Sequence, residues 1–427
     1  MENVFDALRQ YNYWGGEPID MGFTRRTYLE RIMPFVGNRL VKVLAGQRRA
    51  GKSYLLRQIA KQLIDNGVKP ENTFMLNKDL LAFDGVRDCH DLTELFERYR
   101  RELKPEGKVY IFIDEVQNIG EWERFANSYS QDFTHDYELF LTGSNSKMLS
   151  GELASLLSGR YVEIEVFPFS FAEFCGMAGK EENRQSYIEY MQQGGMPEML
   201  KLTGDEVRRN YVMALKDTIL LRDIIQRESI KDPRLLEDLF VYLVNNTSTL
   251  FSINSLMKFY KGKGRMVSYE KLSQYLTYMS DAYLLHRTDR YNIRGKETIA
   301  GVCKYYANDL AFRNYLFQGT AHGVGYELEN LVYLQLRRCG FTVYVGDSQG
   351  LEVDFVAMKG DRTVYLQATY MLADEETVRR EYASLQSIAD HYEKYVVSLD
   401  DLQLPSREGI RHIRAWELER RLQGGQL

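Results

Sequence analysis

A chain of 427 residues, 44% apolar and 27% charged, has the composition of a soluble globular protein and the length for two to four domains. No apolar run is long enough to span a bilayer as a helix and the first ten residues hold no signal-peptide core, so a cytoplasmic location is the expectation. The net charge of −5 excludes a generally basic nucleic-acid binder, yet Met257–Lys304 carries ten Lys/Arg against four Asp/Glu, so one segment is basic in an acidic chain.

In chain order, Val41–Ala45 reads as a strand. Leu55, Leu56, Ile59, Ala60 and Leu63 then mark one face of a helix that ends near Asn66-Gly67. Further strands are expected at Thr73–Leu76, Val109–Ile113, Tyr137–Leu141 and Tyr161–Phe167, the last stopped by Pro168. Val109–Ile113 is apolar throughout, as suits a central parallel strand buried on both faces. Strands alternating with helices predict an α/β fold with a parallel sheet. From Ser170 to about Pro233 the pattern is helical, broken at Gly194-Gly195-Met196-Pro197.

Three short helices and a β-hairpin follow up to about Val302, a winged-helix pattern; the third helix starts at Ser268 and aligns Leu272, Tyr275, Leu276 and Met279. The last part opens with a helix striped by Val324, Leu328, Leu331 and Val332 and closed by Gly340. Strands at Phe341–Val345, Leu351–Met358 and Thr363–Thr369, a long helix at Glu376–Tyr395 and a strand at Val396–Leu399 complete it. The expected domains are 1–169, 170–233 (a helical lid), 234–302 (the winged helix) and 303–427. Cys89, Cys175, Cys303 and Cys339 form no C-x-x-C pair, so reduced thiols near cores are expected and a zinc site is not.

Gly46-Gln47-Arg48-Arg49-Ala50-Gly51-Lys52-Ser53 is a G-x-x-x-x-G-K-S sequence between a strand and a helix. Glycines let successive backbone N–H groups turn onto phosphates, and the helix N-terminus adds a positive field. Lys52 is expected on the β- and γ-phosphates of ATP and the Ser53 hydroxyl on Mg2+. The Arg48 and Arg49 side chains are expected to point outward, and Tyr54 completes the nucleotide-binding run. Chance produces such a pattern at only about one position in 30,000.

Asp114-Glu115 ends the buried strand Ile111-Phe112-Ile113. Asp114 is expected to hold Mg2+ through water and Glu115 to orient and deprotonate the attacking water. The strand at Thr73–Leu76, between the two motifs in sequence, points to the P-loop ATPases with an inserted strand and a catalytic glutamate. Ser144 and Asn145, ending the fourth strand, stand where a γ-phosphate sensor would lie, and Arg160 is a candidate sensor or arginine finger acting in trans. Lys258, Lys261, Lys263 and Arg265 before the Ser268 helix, with Arg287, Arg290, Arg294 and Lys296 in the wing, suit docking of duplex DNA, although winged helices also serve as packing modules.

Gly195-Met196-Pro197 resembles the G-x-P signature of the STAND branch of signal-transducing ATPases, which implies Pro197 near the adenine. Glu329, Glu352-Val353-Asp354 and Gln367-Ala368-Thr369 resemble a PD-(D/E)xK nuclease core. That resemblance implies Glu329 and Asp354 as metal ligands with Gln367 as a weaker oxygen donor. Thr369 stands where that core has its lysine, and Lys359 sits at a hairpin turn, so a degenerate nuclease-like domain used for binding or scaffolding is expected.

As a set, Gly46–Ser53, Asp114-Glu115-Val116-Gln117, Trp122-Glu123, Thr142-Gly143-Ser144, Leu157-Ser158-Gly159-Arg160-Tyr161, Gly194–Glu198, Leu328-Glu329-Asn330 and Glu352–Phe355 resemble a family of bacterial and archaeal AAA-type P-loop ATPases with a C-terminal domain of unknown function. The resemblance implies ATP binding and hydrolysis. The expected function is a magnesium-dependent ATPase switch in DNA-associated or defence-type processes, with duplex DNA, a protein partner or a second copy as partners. An ATP-regulated DNA nuclease and a nucleotide-gated scaffold with little turnover are the alternatives.

Overall fold

The computed structural model describes residues 2–149, 157, 159–317, 323–372 and 375–426, and the chain divides into two compact units, 1–166 and 167–427. Ser158 of the expected motif set lies outside the described residues.

Unit 1 contains α1 (Glu2–Tyr11), α2 (Arg26–Ile32), β1 (Val41–Ala45), α3 (Lys52–Asp65), β2 (Thr73–Asn77), α4 (Cys89–Leu103), β3 (Val109–Asp114), α5 (Trp122–Ser130), β4 (Tyr137–Gly143) and β5 (Tyr161–Glu165). The five strands form one parallel sheet in the order β2-β3-β4-β1-β5. The strand inserted between β1 and β3 is therefore β4. The expected candidate, β2, lies at the sheet edge instead. Strands β1 to β4 are buried at every residue, with α3 packing on the sheet through Leu55, Leu56, Ile59 and Leu63 against Leu44, Phe112 and Phe140. The Phe112 and Phe140 rings stack at 4.9 Å.

Two polar devices make this sheet work. Lys42 and Glu138 are both fully buried and pair across β1 and β4, and Glu138 also accepts the Gly37 N–H at 2.9 Å. A buried charge needs such partners. At the open edge, buried Asn12 donates to the Met75 carbonyl at 2.8 Å and accepts the Met75 N–H at 2.7 Å, copying a neighbouring strand's hydrogen bonds and closing that edge.

Unit 2 opens with α6 (Phe171–Ala178), started by a Ser170/Glu173 capping box, then α7 (Arg184–Gln193) and α8 (Asp205–Thr218), which runs on into a π-helical stretch at Ile219–Gln226. Helices α9 (Pro233–Asn245), α10 (Ile253–Gly262) and α11 (Tyr269–Asp281) precede the hairpin β6 (Leu285–Asn292) and β7 (Glu297–Ala307). Strand β7 runs unbroken across the boundary read at 302/303.

The chain continues through α12 (Ala311–Leu316), α13 (Val324–Arg338), β8 (Thr342–Ser348), β9 (Leu351–Lys359), β10 (Arg362–Thr369), α14 (Glu375–Gln386), β11 (Glu393–Ser398), β12 (Ile410–Arg414) and α15 (Leu418–Gln423). Its seven-stranded mixed sheet has the order β12-β11-β10-β9-β8-β6-β7, so the hairpin is part of it through a parallel pairing of Arg290–Asn292 with Val345–Asp347. Helix α14 stops at Gln386, nine residues short of the helix expected from periodicity. Residues Glu393–Ser398 are drawn into parallel pairing with β10, and Asp390 turns the chain by accepting the Tyr392 N–H at 3.2 Å and the Tyr365 hydroxyl at 2.6 Å. All four cysteines are buried and free.

Candidate nucleotide site

Three segments distant in sequence meet at the C-terminal ends of β1, β3 and β4, because adjacent parallel strands deliver their following loops to one edge. From β1 comes the Gly46–Ser53 loop. Gly46 donates its N–H to the Gly143 carbonyl at 3.2 Å, and a Cβ there would lie 2.2 Å from the Val166 carbonyl oxygen, so only glycine fits. Gly51 takes φ +94° and turns the chain into α3. Lys52 is 4% exposed; its Nζ donates to the carbonyls of Gly46 at 2.9 Å and Gln47 at 3.0 Å and stands 3.8 Å from Glu115 Oε1. Arg49 is exposed, as expected. Arg48 is not: its side chain folds onto Asp79 at 3.2 Å, and Asp79 also accepts from Asn118 Nδ2 at 3.1 Å.

A strap at residues 20–25 braces this loop, and sequence spacing gives no sign of it. Gln58 of α3 donates to the carbonyls of Met21 (2.7 Å) and Phe23 (2.8 Å) and accepts the Arg25 N–H at 3.0 Å. Arg25, 2% exposed, donates to the Ala50 carbonyl inside the loop at 2.9 Å. Tyr54 donates its hydroxyl to Asp20 at 3.1 Å and lies against Gly22, where a Cβ would come within 2.7 Å of its ring.

From β3 come Asp114 and Glu115, both buried. The Thr142 hydroxyl, one strand away on β4, donates to Asp114 Oδ1 and accepts the Glu115 N–H at 2.9 Å. Asp114 Oδ2 is buried with no hydrogen-bond partner among the described residues. Burial and the negative charge of Glu115 push Asp114 up to about 6, against the pull of the Thr142 and Ser53 hydroxyls and Lys52. Burial alone would raise Glu115 as well. The charges of Lys52 and Arg48, with hydrogen bonds involving Gln117 and Ser144, outweigh it and hold Glu115 below the usual carboxylate range. Glu115 itself has φ +54° and ψ +47°, a left-handed backbone that costs a non-glycine residue about 1–3 kcal/mol.

From β4 come Thr142, Gly143, Ser144 and Asn145. A Cβ on Gly143 would lie 1.7 Å from Met148 Sδ and 2.7 Å from Gln117 Oε1, so this crossing also demands glycine. Ser144 accepts from Gln117 Nε2 at 3.3 Å, beside Glu115. Asn145 accepts the Lys147 N–H at 2.8 Å, a turn-capping role. Arg160 lies elsewhere: its carbonyl accepts the Val41 N–H at 2.9 Å, at the N-terminal edge of the sheet and a whole strand length from the loop. It does not line this site in its own chain.

The remaining candidates fall in unit 2. Pro197 starts a short 3-10 helix (Pro197–Lys201), and the glycines before it are held by buried Asp309, which accepts the N–H groups of Gly195 and Ala311 at 2.8 Å each. A Cβ on Gly194 would meet Asp309 Oδ1 at 2.0 Å. Glu329 on α13, Asp354 on β9 and Gln367 on β10 come together at one cavity. Of the basic residues read for DNA, Arg265 pairs with Asp232 (2.9 Å) and Asp238 (3.0 Å), Arg287 with Asp289 (2.8 Å) and Arg290 with Asp347 (2.5 Å). These three cations each have an acidic partner; Lys258, Lys261, Lys263, Arg294 and Lys296 are exposed, as is Arg287 despite its partner.

The described helices include none long and apolar enough to cross a membrane. Residues 38–175 match an AAA domain family (AAA_14), and residues 184–322 match a domain of unknown function, DUF8612. An uncharacterized protein of Haemophilus influenzae is 31% identical over 396 residues, covering 91% of this chain and 96% of its own. An uncharacterized protein of Methanocaldococcus jannaschii is 29% identical over 368 residues, covering 82% and 79%. Among solved structures, a Walker-type ATPase of Pyrococcus abyssi has a TM-score of 0.44 at 15% identity, covering 69% of this chain and 95% of its own. The Aeropyrum pernix Orc1 protein, solved in complex with DNA, has a TM-score of 0.32 at 14% identity, covering 70% and 94%.

Proposed function

We propose that this chain, which belongs with its Haemophilus influenzae relative to the AAA-type P-loop ATPases, binds ATP with magnesium at Gly46–Ser53, hydrolyses it, and uses the nucleotide state as a conformational switch. The backbone N–H groups of the loop and Lys52 take the phosphates, Lys52 exchanging its two loop carbonyls for phosphate oxygens. Ser53 and Asp114 are the residues to hold magnesium, which supplies charge neutralisation on the phosphates when bound. The unpartnered Asp114 Oδ2 fits that role.

One observation carries the reading. Thr142 ties the Asp114 carboxylate and the Glu115 backbone to one hydroxyl, while Lys52, Arg48 and Gln117 keep the Glu115 carboxylate ionised. An ionised, positioned carboxylate beside the phosphate loop is what deprotonating a water requires. In this reading Ser144 reports on the γ-phosphate through Gln117, and any role of Arg160 in catalysis is in trans, on a neighbouring copy. Duplex DNA is the candidate partner of Lys258, Lys261, Lys263, Arg294 and Lys296, exposed cations of the basic segment.

The test is ATP turnover with and without duplex DNA in the wild type and in Lys52→Ala. Turnover abolished by the substitution supports the proposal. A wild type that binds ATP without hydrolysing it in either condition contradicts it and favours a nucleotide-gated scaffold.

A further inference from the structure

We infer that the ammonium of Lys304 is the resident cation of the carboxylate cluster in unit 2, and that it keeps divalent metal ions out of that cluster. The cluster lines a cavity of about 600 Å3 formed by residues of β7, α13, β9, β10 and α14. Lys304 enters it from β7 and is 2% exposed. Its Nζ lies 2.7 Å from Glu329 Oε1, 2.7 Å from Glu352 Oε1 and 3.9 Å from Asp354 Oδ1.

Four of the oxygens that face this point, on Glu329, Glu352, Asp354 and Gln367, are already engaged. Glu329 Oε1 also accepts the Tyr306 hydroxyl at 2.8 Å. Asp354 Oδ2 accepts the Ala368 N–H at 2.8 Å. Gln367 Oε1 accepts the Asp354 N–H at 3.2 Å and the Ser384 hydroxyl at 3.3 Å, so it is not directed to a shared cation. Magnesium and manganese need oxygens at about 2.1 Å in near-octahedral array. The point between Glu329 and Glu352 is filled by Nζ, and a dication beside an ammonium meets direct repulsion at low dielectric. Burial works against the Lys304 charge, but the three carboxylates overcome it and hold the proton on. The lysine is therefore a permanent cation here.

With the lysine shortened, two buried carboxylates and one partly exposed one would face an open cavity whose other lining cation, Arg380, pairs with Glu381 at 2.8 Å. That is a hard-cation site by donor chemistry. The chain thus carries a set of hard oxygen donors arranged around the ammonium of Lys304 on its own strand β7. This inference is independent of the ATPase reading, which concerns unit 1 alone.

Mn2+ binding to the full-length, nucleotide-free chain tests it, read by electron paramagnetic resonance of free Mn2+ and by the melting temperature. Asp114→Asn is used as background to silence the P-loop carboxylate. With Lys304 present, no site that Asp354→Asn abolishes is expected with a Kd below about 1 mM. Lys304→Ala should gain one site, raise its melting temperature with Mn2+, and lose both effects on adding Asp354→Asn. Binding of one Mn2+ below that limit with Lys304 intact, abolished by Asp354→Asn, would overturn the inference, as would a folded Lys304→Ala chain that binds none. If Lys304→Ala does not fold, the lysine-containing pair decides alone.

Discussion

Thr142 Oγ1 lies 2.9 Å from the backbone nitrogen of Glu115, and the same hydroxyl donates to the Asp114 carboxylate on the neighbouring strand. Replacing Thr142 by Val keeps the shape and removes both bonds, leaving a buried N–H and a buried carboxylate oxygen unsatisfied. Such groups cost about 1–3 kcal/mol each. The left-handed Glu115 backbone then loses its anchor, and turnover should fall about 10- to 100-fold while Thr142→Ser stays close to wild type. Steady-state ATPase rates and urea midpoints of the two variants check this.

Arg25 acts on the loop without any place in the chemistry. Its guanidinium donates to the Ala50 carbonyl, and its backbone is tied to Gln58. Arg25→Met should loosen the loop and raise KM for ATP by about tenfold, with kcat changed less. A proportionate loss in kcat at unchanged KM would place Arg25 in a different role.

Asp309 is pushed up to about 6 by burial, although the Ala311 and Gly195 N–H groups pull it down. A carboxyl raised in the folded state adds stability below its unfolded pKa near 4 and loses it as pH rises to about 6. Wild-type stability should therefore decline across pH 4–6 relative to Asp309→Asn, which does not titrate there. At pH 7 Asp309→Asn should still be less stable by about 1–3 kcal/mol, because an amide presents one acceptor oxygen to two backbone donors. Denaturant unfolding at pH 4.5 and pH 7 gives both comparisons.

The paired and exposed members of the basic segment should behave differently. Lys258→Ala, Lys261→Ala and Lys296→Ala remove exposed cations and should lower duplex affinity and flatten its salt dependence by about one unit of slope for each phosphate no longer neutralised. Arg265→Ala breaks the pairs with Asp232 and Asp238 and should lower stability without changing that slope. Fluorescence anisotropy across a salt series separates the two classes.

The phosphate loop and the acidic pair were legible in the sequence because their geometry is local: spacing, a preceding strand and a following helix contain it. The residues that complete each site were not. Thr142 reaches the acidic pair only because β4 inserts between β1 and β3, a matter of sheet order. Arg25, Asp309 and Lys304 each act across 20 or more residues of chain, and a lone arginine, aspartate or lysine carries no local signature. Gly143 and Gly194 stand in motifs that the sequence shows, but the reason for glycine is tertiary: Met148 and Asp309 side chains lie where a Cβ would sit. The strand expected at Val396–Leu399 starts three residues earlier, at Glu393, because pairing with β10 overrides the helical periodicity there.

In the proposed reaction Glu115 activates the attacking water. ATP binding and turnover in Glu115→Gln test it most directly, because the amide keeps the size of the side chain and removes its basicity. ATP affinity should stay within about threefold of wild type while kcat falls at least about 100-fold. A Glu115→Gln chain that turns over ATP at the wild-type rate would contradict it.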